Sequence, residues 1–231
     1  MNNKNKSKTF ILGLTVAALL PLSFYFIVVW MVKRDVKSGK IHMPHYYVAD
    51  SVTKNNDTLF HKVTDIELTN QLGQVISVNK DLKSKCVVID FFFVNCPTIC
   101  PRLTANMKLL ERAFKKNDTM VQLLSITVNP GHDSFPVLRS YADRFDVNHD
   151  NWWFLTGNKK TIYDYARNQL FVSLQPGDGG PDDFIHTQKL VLLDRNRYIR
   201  GYYDGLDSAD IKRCADDIIL LSLERPKMKK H

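Results

Sequence analysis

The run of nine residues from Cys86 to Val94, CVVIDFFFV, constrains the fold more than any other feature of the sequence. It is almost continuously apolar and rich in β-branched and aromatic residues. This composition is typical of a strand that is covered on both faces, because a strand with one exposed face alternates apolar and polar residues. We therefore predict the central strand of a sheet that carries helices on both faces.

Strand and helix patterns alternate along the rest of the chain. The segment Val63–Val78 contains two short stretches around a Gln-Leu-Gly-Gln turn, which is typical of a hairpin. Periodicity, caps and turn residues predict the remaining elements: a helix over Pro101–Lys115, a strand over Val121–Val128, a helix capped by Ser134, a strand over Trp152–Leu155, a helix over Lys159–Leu170, a hairpin of Leu190–Leu193 and Tyr198–Tyr203, and a helix from Asp207 to Leu223. This order predicts an α/β protein with a mixed sheet flanked by helices.

The N-terminal segment contains 23 residues without a charge, from Phe10 to Val32. A helix of this length crosses the ~30 Å hydrocarbon layer of a membrane. A cleaved signal peptide would have a shorter apolar region and a small-residue cleavage site, which the sequence VVWMVKRDVKSGK, at the end of the run and just after it, does not offer. We therefore expect one N-terminal transmembrane helix, at about residues 10–32, in an anchor and linker segment of residues 1–40. The globular domain would span residues 41–231.

The net charge of +8 is concentrated at the two ends of the chain. Residues 1–40 carry seven Lys/Arg against one Asp, and residues 224–231 carry four against one Glu, so residues 41–223 have a net charge of −1. A nearly neutral globular part disfavours nucleic acid as a partner. Contact of the basic ends with anionic lipid is the simpler interpretation. Because basic residues flank both ends of the apolar run, charge does not predict the orientation of the anchor.

Two cysteines, Cys96 and Cys100, follow the central strand in the motif CPTICP. A spacing of four residues at the start of a helix brings both sulfurs to one face, about one turn apart. The positive end of the helix dipole stabilises thiolate, which is the form that binds metals and exchanges disulfides. Both chemistries remain open at this point, and a buried apolar pair is the less favoured interpretation.

The cysteine motif and several other segments resemble the Sco (SenC-type) copper chaperones of cytochrome c oxidase assembly, a branch of the thioredoxin-like proteins. The resemblance extends over about residues 44–223 and includes CPTICP, the preceding FFFVN, SITVNPGHDSFPVLRSYADRFDVNHDNWWFLTG and the segment DDFIHTQKLVLLDRNRYIRGYYDG with His186. It implies a thioredoxin-like fold. The sequence departs from the family pattern at Asn95, Thr98 and Asn129, where relatives often have His, Asp and Asp.

The resemblance implies that Cys96, Cys100 and His186 bind one copper ion. Two soft thiolates and one imidazole suit Cu(I), and the same set with room for a further weak ligand holds Cu(II). Asp182 or Asp183 is either a partner of the histidine or a solvated charge of the loop.

The resemblance also implies a membrane-anchored metallochaperone that delivers copper to the dinuclear copper site of cytochrome c oxidase. Its partners would be the copper-site subunit of the oxidase, a copper donor protein, a thioredoxin-like reductant and, through the anchor, membrane lipid. The anchor would cross the inner (cytoplasmic) membrane once, with the globular domain on the periplasmic or extracytoplasmic side.

A thiol-disulfide reductase is the alternative function. Cys96 and Cys100 would then be its catalytic redox pair, acting on the cysteines of the oxidase subunit or of another extracytoplasmic partner. Redox thioredoxins favour two residues between the cysteines and a proline ahead of the later strand. This chain has three residues between them and the sequence His186-Thr187-Gln188-Lys189, which favours copper binding.

The other cysteines and histidines carry no motif. We interpret Cys86 and Cys214 as buried small hydrophobic residues rather than a second disulfide. His61, His132 and His149 are interpreted as surface or hydrogen-bonded residues rather than ligands.

Overall fold

A computed structural model describes residues 17, 19–31, 34, 43–52, 58–116, 119–172 and 187–224 of the 231-residue chain. The chain divides into two compact units, Met1–Met43 and Pro44–His231. In the first unit the described residues are helical, apart from residue 43, and we label the continuous part, residues 19–31, α1. In the parts of the chain that the structure describes, no helix combines the length and the apolar character needed to span a membrane.

The second unit alternates strands and helices in the order expected from the sequence. Its elements are β1 (Ala49–Val52), β2 (Thr58–Phe60), β3 (Glu67–Asn70), β4 (Val75–Ser77), α2 (Val78–Asp81), β5 (Cys86–Phe92), α3 (Cys100–Ala113), β6 (Val121–Thr127), α4 (Phe135–Arg144), β7 (Trp152–Thr156), α5 (Lys159–Asp164), β8 (Lys189–Leu193), β9 (Ile199–Asp204) and α6 (Ser208–Leu223). A π-helical segment, Tyr165–Gln169, continues α5.

Seven of the strands form one mixed sheet in the order β4-β3-β7-β6-β5-β8-β9, and β1 and β2 form a separate antiparallel pair. β5 pairs in parallel with β6 and antiparallel with β8, so it is an inner strand, as predicted. All seven of its residues are buried. The antiparallel pairs β3–β4 and β8–β9 are the two predicted hairpins.

Helices cover both faces of this sheet, which confirms the prediction made from β5. The first core lies on the face covered by α3, α4 and α6, and it includes Val88 and Phe92 of β5. The second core lies on the opposite face, where α2 and α5 pack, and it includes Val87, Ile89 and Phe91. The alternation of β5 residues between two apolar cores explains why the strand has almost no polar residue.

The structure differs from the sequence predictions at element ends and in short elements. α3 starts at Cys100, one residue before the predicted start, and the predicted helix over Lys159–Leu170 changes from α to π geometry at Tyr165. Ser134 occupies the N-cap position of α4, but its side chain makes no capping hydrogen bond. The elements β1, β2 and α2 were not predicted, because three or four residues show no measurable periodicity.

Asp90 is the one polar residue of β5, and its carboxyl is buried with a relative exposure of 1%. The hydroxyl of Ser125 donates a hydrogen bond to it at 2.6 Å, and that hydroxyl accepts one from Nε1 of Trp152 at 2.9 Å. Burial raises the pKa of Asp90 to about 7, although the Ser125 bond acts in the opposite direction. A carboxyl that prefers to stay protonated therefore lies inside the first core.

The buried guanidinium of Arg200, in β9, links Pro44, the first residue of the second unit, to Glu224, the last residue that the structure describes. Its Nη1 donates to Asp194 at 2.9 Å and to Glu224 at 2.7 Å, and its Nη2 donates to the carbonyl of Pro44 at 2.8 Å. The ring of Tyr46 stacks on it, with the centroid 4.0 Å from Cζ. Both carboxylates and both donor nitrogens are thus matched around a guanidinium that is itself buried.

We predict that Asp90→Asn flattens the dependence of stability on pH. The folded pKa of about 7 lies above the ordinary aspartate value of 3.8, so the wild-type chain loses stability as pH rises from about 4 to about 7. The loss amounts to at most about 4 kcal/mol, because each pKa unit corresponds to about 1.4 kcal/mol. Urea unfolding of the metal-free chain at pH 5 and pH 8 measures the part of this loss that occurs above pH 5, about 3 kcal/mol. The variant should be the more stable protein at pH 8, and equal pH slopes in both proteins would contradict the prediction.

We predict that Arg200→Met destabilises the chain by roughly 3–5 kcal/mol, because it leaves two carboxylates without their buried partner. Arg139→Met is the matched control, since Arg139 makes a two-contact pair with Asp143 on the surface. Surface pairs contribute about 1 kcal/mol or less. The free energy of unfolding in urea distinguishes the two variants, and similar losses in both would contradict a special role for Arg200.

Candidate functional site

The cysteine pair lies where the chain leaves β5 and enters α3. Cys96 is in the connecting turn, and its N–H donates to the carbonyl of Phe93 at 3.2 Å. Cys100 is the first residue of α3, and its N–H donates to the sulfur of Cys96 at 3.4 Å. The first N–H groups of a helix have no acceptor within the helix, and here one of them donates to the sulfur of Cys96. Both side chains are buried, with relative exposures of 7% for Cys96 and 3% for Cys100.

The two thiols have different acidities. Burial raises the pKa of Cys96, but hydrogen bonds to its sulfur from Cys100 and Thr98 outweigh burial and lower the pKa to about 7. Burial and, to a smaller extent, the side-chain contact with Cys96 raise the pKa of Cys100 to about 12. The helix start thus stabilises thiolate at Cys96, as expected from the sequence. The same expectation is wrong for Cys100, because its sulfur points into the core.

Two polar groups of the first core, the carboxyl of Asp90 and the hydroxyl of Tyr141, interact electrostatically with Cys100. The carboxyl of Asp90 contributes to the raised pKa of this thiol. The Tyr141 hydroxyl is 2.9 Å from the hydroxyl of Thr104, and burial raises its pKa to about 12. The rings of Phe92, Tyr141 and Phe154 pack against one another at centroid distances of 5.3–5.7 Å. Both cysteines belong to the same buried core as these rings.

A fully buried carboxylate, Asp133, holds the turn that leads to Cys96. Its Oδ2 accepts hydrogen bonds from the backbone N–H of Val94 at 3.1 Å and from the hydroxyl of Thr127 at 2.5 Å. These contacts join the turn after β5 to the loop between β6 and α4. The position of Cys96 is thus fixed from a second strand as well as from its own.

His132 links Asp133 to Asn95, the residue before Cys96. Its Nδ1 is 2.8 Å from Oδ1 of Asp133, and its Nε2 is 3.0 Å from Nδ2 of Asn95. The ring is 48% exposed, while the carboxylate behind it is not exposed at all. His132 is therefore the imidazole that the described structure places against the cysteine turn.

The third predicted ligand, His186, lies outside the described residues, as do Asp182 and Asp183. Among the described residues, no group of three His, Cys, Asp or Glu side chains is arranged to hold a metal ion. The three-residue ligand set remains a prediction.

The other two cysteines are buried and free, in agreement with their interpretation as hydrophobic residues. Burial raises the pKa of Cys86 to about 11 and raises that of Cys214 as well. Neither thiol presents thiolate at neutral pH, so neither adds to the chemistry of the site.

Sequence reasoning missed Asp90 and Asp133 as parts of the site. A lone carboxyl inside an apolar strand, six residues before a cysteine, is a visible feature that could have directed attention to Asp90. Asp133 had no comparable feature, because its role depends on a contact with Val94, which is 39 positions away.

The sequence matches a known protein family over most of its length. The SCO1/SenC family model matches residues 55–219. The SCO1 protein homolog of Bacillus subtilis is 30% identical over 163 residues, which cover 71% of this chain and 82% of that protein.

Two solved structures share the fold. BsSco, a member of the Sco family of cytochrome c oxidase assembly proteins in which a disulfide switch is identified, is 28% identical, with a TM-score of 0.61 over 71% of this chain and 95% of its own. Yeast Sco1 with copper bound is 24% identical, with a TM-score of 0.56 over 74% of this chain and 93% of its own. The expected thioredoxin-like Sco fold is thereby confirmed. With its sequence matched over residues 55–219 and its fold shared with these proteins, the chain belongs to the SCO1/SenC family.

Proposed function

We propose that this chain is a membrane-anchored metallochaperone that binds one copper ion and delivers it to the dinuclear copper site of cytochrome c oxidase. Cys96, Cys100 and His186 are the ligands. The observation that carries the proposal is the cysteine pair at the start of α3, where Cys96 accepts an N–H bond and has a pKa of about 7. The chain therefore offers a thiolate at neutral pH, with a second thiol beside it.

The donor set fits copper on chemical grounds. Thiolates are soft ligands that favour Cu(I), and an imidazole extends the set toward Cu(II). Metal binding displaces the thiol protons, so the high pKa of Cys100 makes copper uptake release a proton from the buried sulfur. Copper in yeast Sco1, and the membership of BsSco in a family of oxidase assembly proteins, support the choice of cargo and of acceptor.

Copper would leave the site by exchange of ligands with the acceptor. The cysteines of the oxidase copper-site subunit replace Cys96 and Cys100 one at a time, so the ion always keeps at least one thiolate. Cys96 is the first to be exchanged, because it lies in the turn and its thiolate is the less basic of the two. A copper donor protein loads the site, and a thioredoxin-like reductant keeps the pair reduced.

The proposed chaperone is held at the inner (cytoplasmic) membrane by a single helix. The uncharged run of residues 10–32 supports this anchor, and the described part, α1, exposes large apolar side chains such as Leu22, Phe24 and Phe26. Residues 1–40 form the anchor and linker, and residues 41–231 form the copper-binding domain on the extracytoplasmic side.

We expect the wild-type chain to bind one copper ion, and Cys96→Ser or Cys100→Ser to abolish tight binding. Loss of a thiolate should exceed the roughly 10–100-fold loss seen when a residue behind a ligand is changed. His186→Ala should weaken Cu(II) more than Cu(I), because thiolates alone hold the softer ion. Copper content and competition with a Cu(I) chelator measure both effects on the reduced chain.

Cys214→Ala is the matched control, since it removes a buried free thiol that lies away from the motif. It should leave one copper per chain. Equal copper affinity of the wild-type chain and the Cys96→Ser/Cys100→Ser double variant would contradict the proposed function.

A thiol-disulfide reductase remains the second candidate, and the unequal acidity of the two thiols favours it. Cys96, with a pKa of about 7, would attack a partner disulfide as thiolate and form a mixed disulfide. The sulfur of Cys100 would then attack Cys96, which releases the partner as a dithiol and leaves the pair oxidised. The disulfide switch of BsSco supports this possibility.

For this second function we predict that the reduced Cys100→Ser variant traps a mixed disulfide with a substrate disulfide, whereas Cys96→Ser does not, because only Cys96 attacks. Mass spectrometry of the acid-quenched mixture measures the adduct. A Cys96–Cys100 disulfide that stays unreduced in excess dithiothreitol would exclude the reductase and leave the chaperone as the function.

A further inference from the structure

We propose that a basic groove on the second unit binds the headgroups of anionic lipids, so that the domain docks on the membrane surface with its cysteine turn directed away from the bilayer. The groove has a volume of about 350 Å³ and is lined by the basic residues Lys62, Lys83, Arg195 and Arg197. The inference rests on the proposed membrane anchor and goes beyond it, because the groove belongs to the globular domain and not to the anchor.

The positive charge of the basic groove has no acidic counterpart in its walls. Among the described residues that line the groove, none is Asp or Glu. Lys62, Lys83 and Arg195 are exposed, and their side chains form no ion pair with any residue that the structure describes. Asp194, which precedes Arg195, is buried and bound to Arg200. An anion from outside the chain would therefore meet three unpaired cations.

The buried Arg197 adds a fourth positive charge, which neutral groups hold in place. Its relative exposure is 3%. The guanidinium donates hydrogen bonds to Oδ1 of Asn79 and to the backbone carbonyls of Val78, Leu82, Lys85 and Asp194. These five bonds use all of its donors and leave its net charge. Arg197 therefore raises the potential in the groove without having a donor left for the ligand.

The basic groove and the cysteine turn lie at opposite ends of β5. Val87, near the start of β5, pairs with Leu193 at the end of β8, and Arg195 lies in the turn that follows. Lys83 shortly precedes β5, whereas Cys96 follows its other end. A strand of this length spans roughly 20 Å, at about 3.3 Å per residue. A membrane bound at the groove would thus leave the cysteine turn open to a protein partner.

Aromatic side chains border the groove on the side of β1 and β2. Tyr46 stacks on Phe60 at a centroid distance of 4.8 Å and meets Tyr198 edge-on at 5.5 Å. All three residues are partly exposed, and Tyr198 pairs through its backbone with Lys62 of the groove. Tyrosine is enriched at membrane–water interfaces, where its ring and its hydroxyl meet different surroundings. Basic and aromatic residues next to each other are therefore suited to a lipid headgroup layer.

The second unit begins at the same end of the sheet. Its first residue is Pro44, and the N–H of Tyr47 donates to the carbonyl of Ile199, the first residue of β9, at 2.9 Å. If the preceding segment is anchored, the covalent tether joins the domain beside the basic groove. An acidic protein would satisfy the charge alone, whereas the aromatic residues and the point of attachment favour a bilayer.

The test measures how fast Lys62 and Lys83 are acetylated in the full chain, reconstituted in nanodiscs and analysed by mass spectrometry. In discs that contain phosphatidylglycerol, acetylation should be at least about fivefold slower than in pure phosphatidylcholine, because each basic residue strengthens binding to an anionic surface about fivefold. Lys212, which pairs with Asp216 on α6, should react equally in both lipids. At about 1 M salt the Debye length falls to ~3 Å, so the protection should disappear.

The double variant Lys62→Gln/Arg195→Gln keeps Lys83 as the reporter and should lose most of its protection. Lys160→Gln/Arg139→Gln is the matched control, because it removes the same charges from surface pairs with aspartates on α5 and α4. It should keep the full protection of Lys83. Both variants should still bind one copper ion, since their substitutions lie outside the cysteine turn.

Equal acetylation of Lys83 in the two lipids overturns the inference. Inorganic phosphate that protects Lys83 equally well in phosphatidylcholine discs also overturns it, in favour of a site for small anions. Protection by polyglutamate but not by phosphatidylglycerol would assign the groove to an acidic protein instead. A chain that does not stay in phosphatidylcholine discs overturns the proposed anchor, which is a separate failure because it is observed without anionic lipid.

Discussion

The pairing of β5 with a strand on each side is the constraint on which the rest of the structure depends. All seven of its residues pair with β6, and three of them also pair with β8. Because its side chains alternate between two buried cores, a shift of one residue would exchange the contents of both cores. The point at which the chain leaves the sheet is therefore fixed by packing, and the cysteine turn that follows inherits that position.

The cysteine turn combines a rigid support with two sulfurs of different acidity. Cys100 is packed in the first core, and the buried carboxylate of Asp133 accepts a hydrogen bond from the backbone N–H of Val94. Cys96 lies in the turn before α3, and hydrogen bonds to its sulfur outweigh the effect of burial on its pKa. In the proposed chaperone this difference suits ligand exchange, since Cys100 would retain the metal while Cys96 is exchanged first. It suits disulfide exchange for the same reason, and this explains why one motif supports both candidate functions.

The sequence predicts the parts of the structure that depend on neighbouring residues. The inner position of β5 follows from its own composition, and the cysteine pair at the start of α3 follows from the spacing within CPTICP. Contacts between distant segments could not be predicted in this way. His132 carries no motif, and it meets Asn95 only because β6 returns its loop to the end of β5. The raised pKa of Cys100 could not be predicted from the sequence either. Burial raises this pKa whereas the helix dipole lowers it, and the extent of burial depends on the packed structure.

The contacts of Arg200 have a mechanical consequence for a domain attached at its N-terminal end. The chain enters the second unit at Pro44 and its last described residue is Glu224, and one guanidinium binds both. A force applied at Pro44 would therefore act directly on β9 and on the end of α6. The cysteine turn follows β5, and β8 lies between β5 and β9 in the sheet, so the turn is one strand removed from the strand that would carry this force.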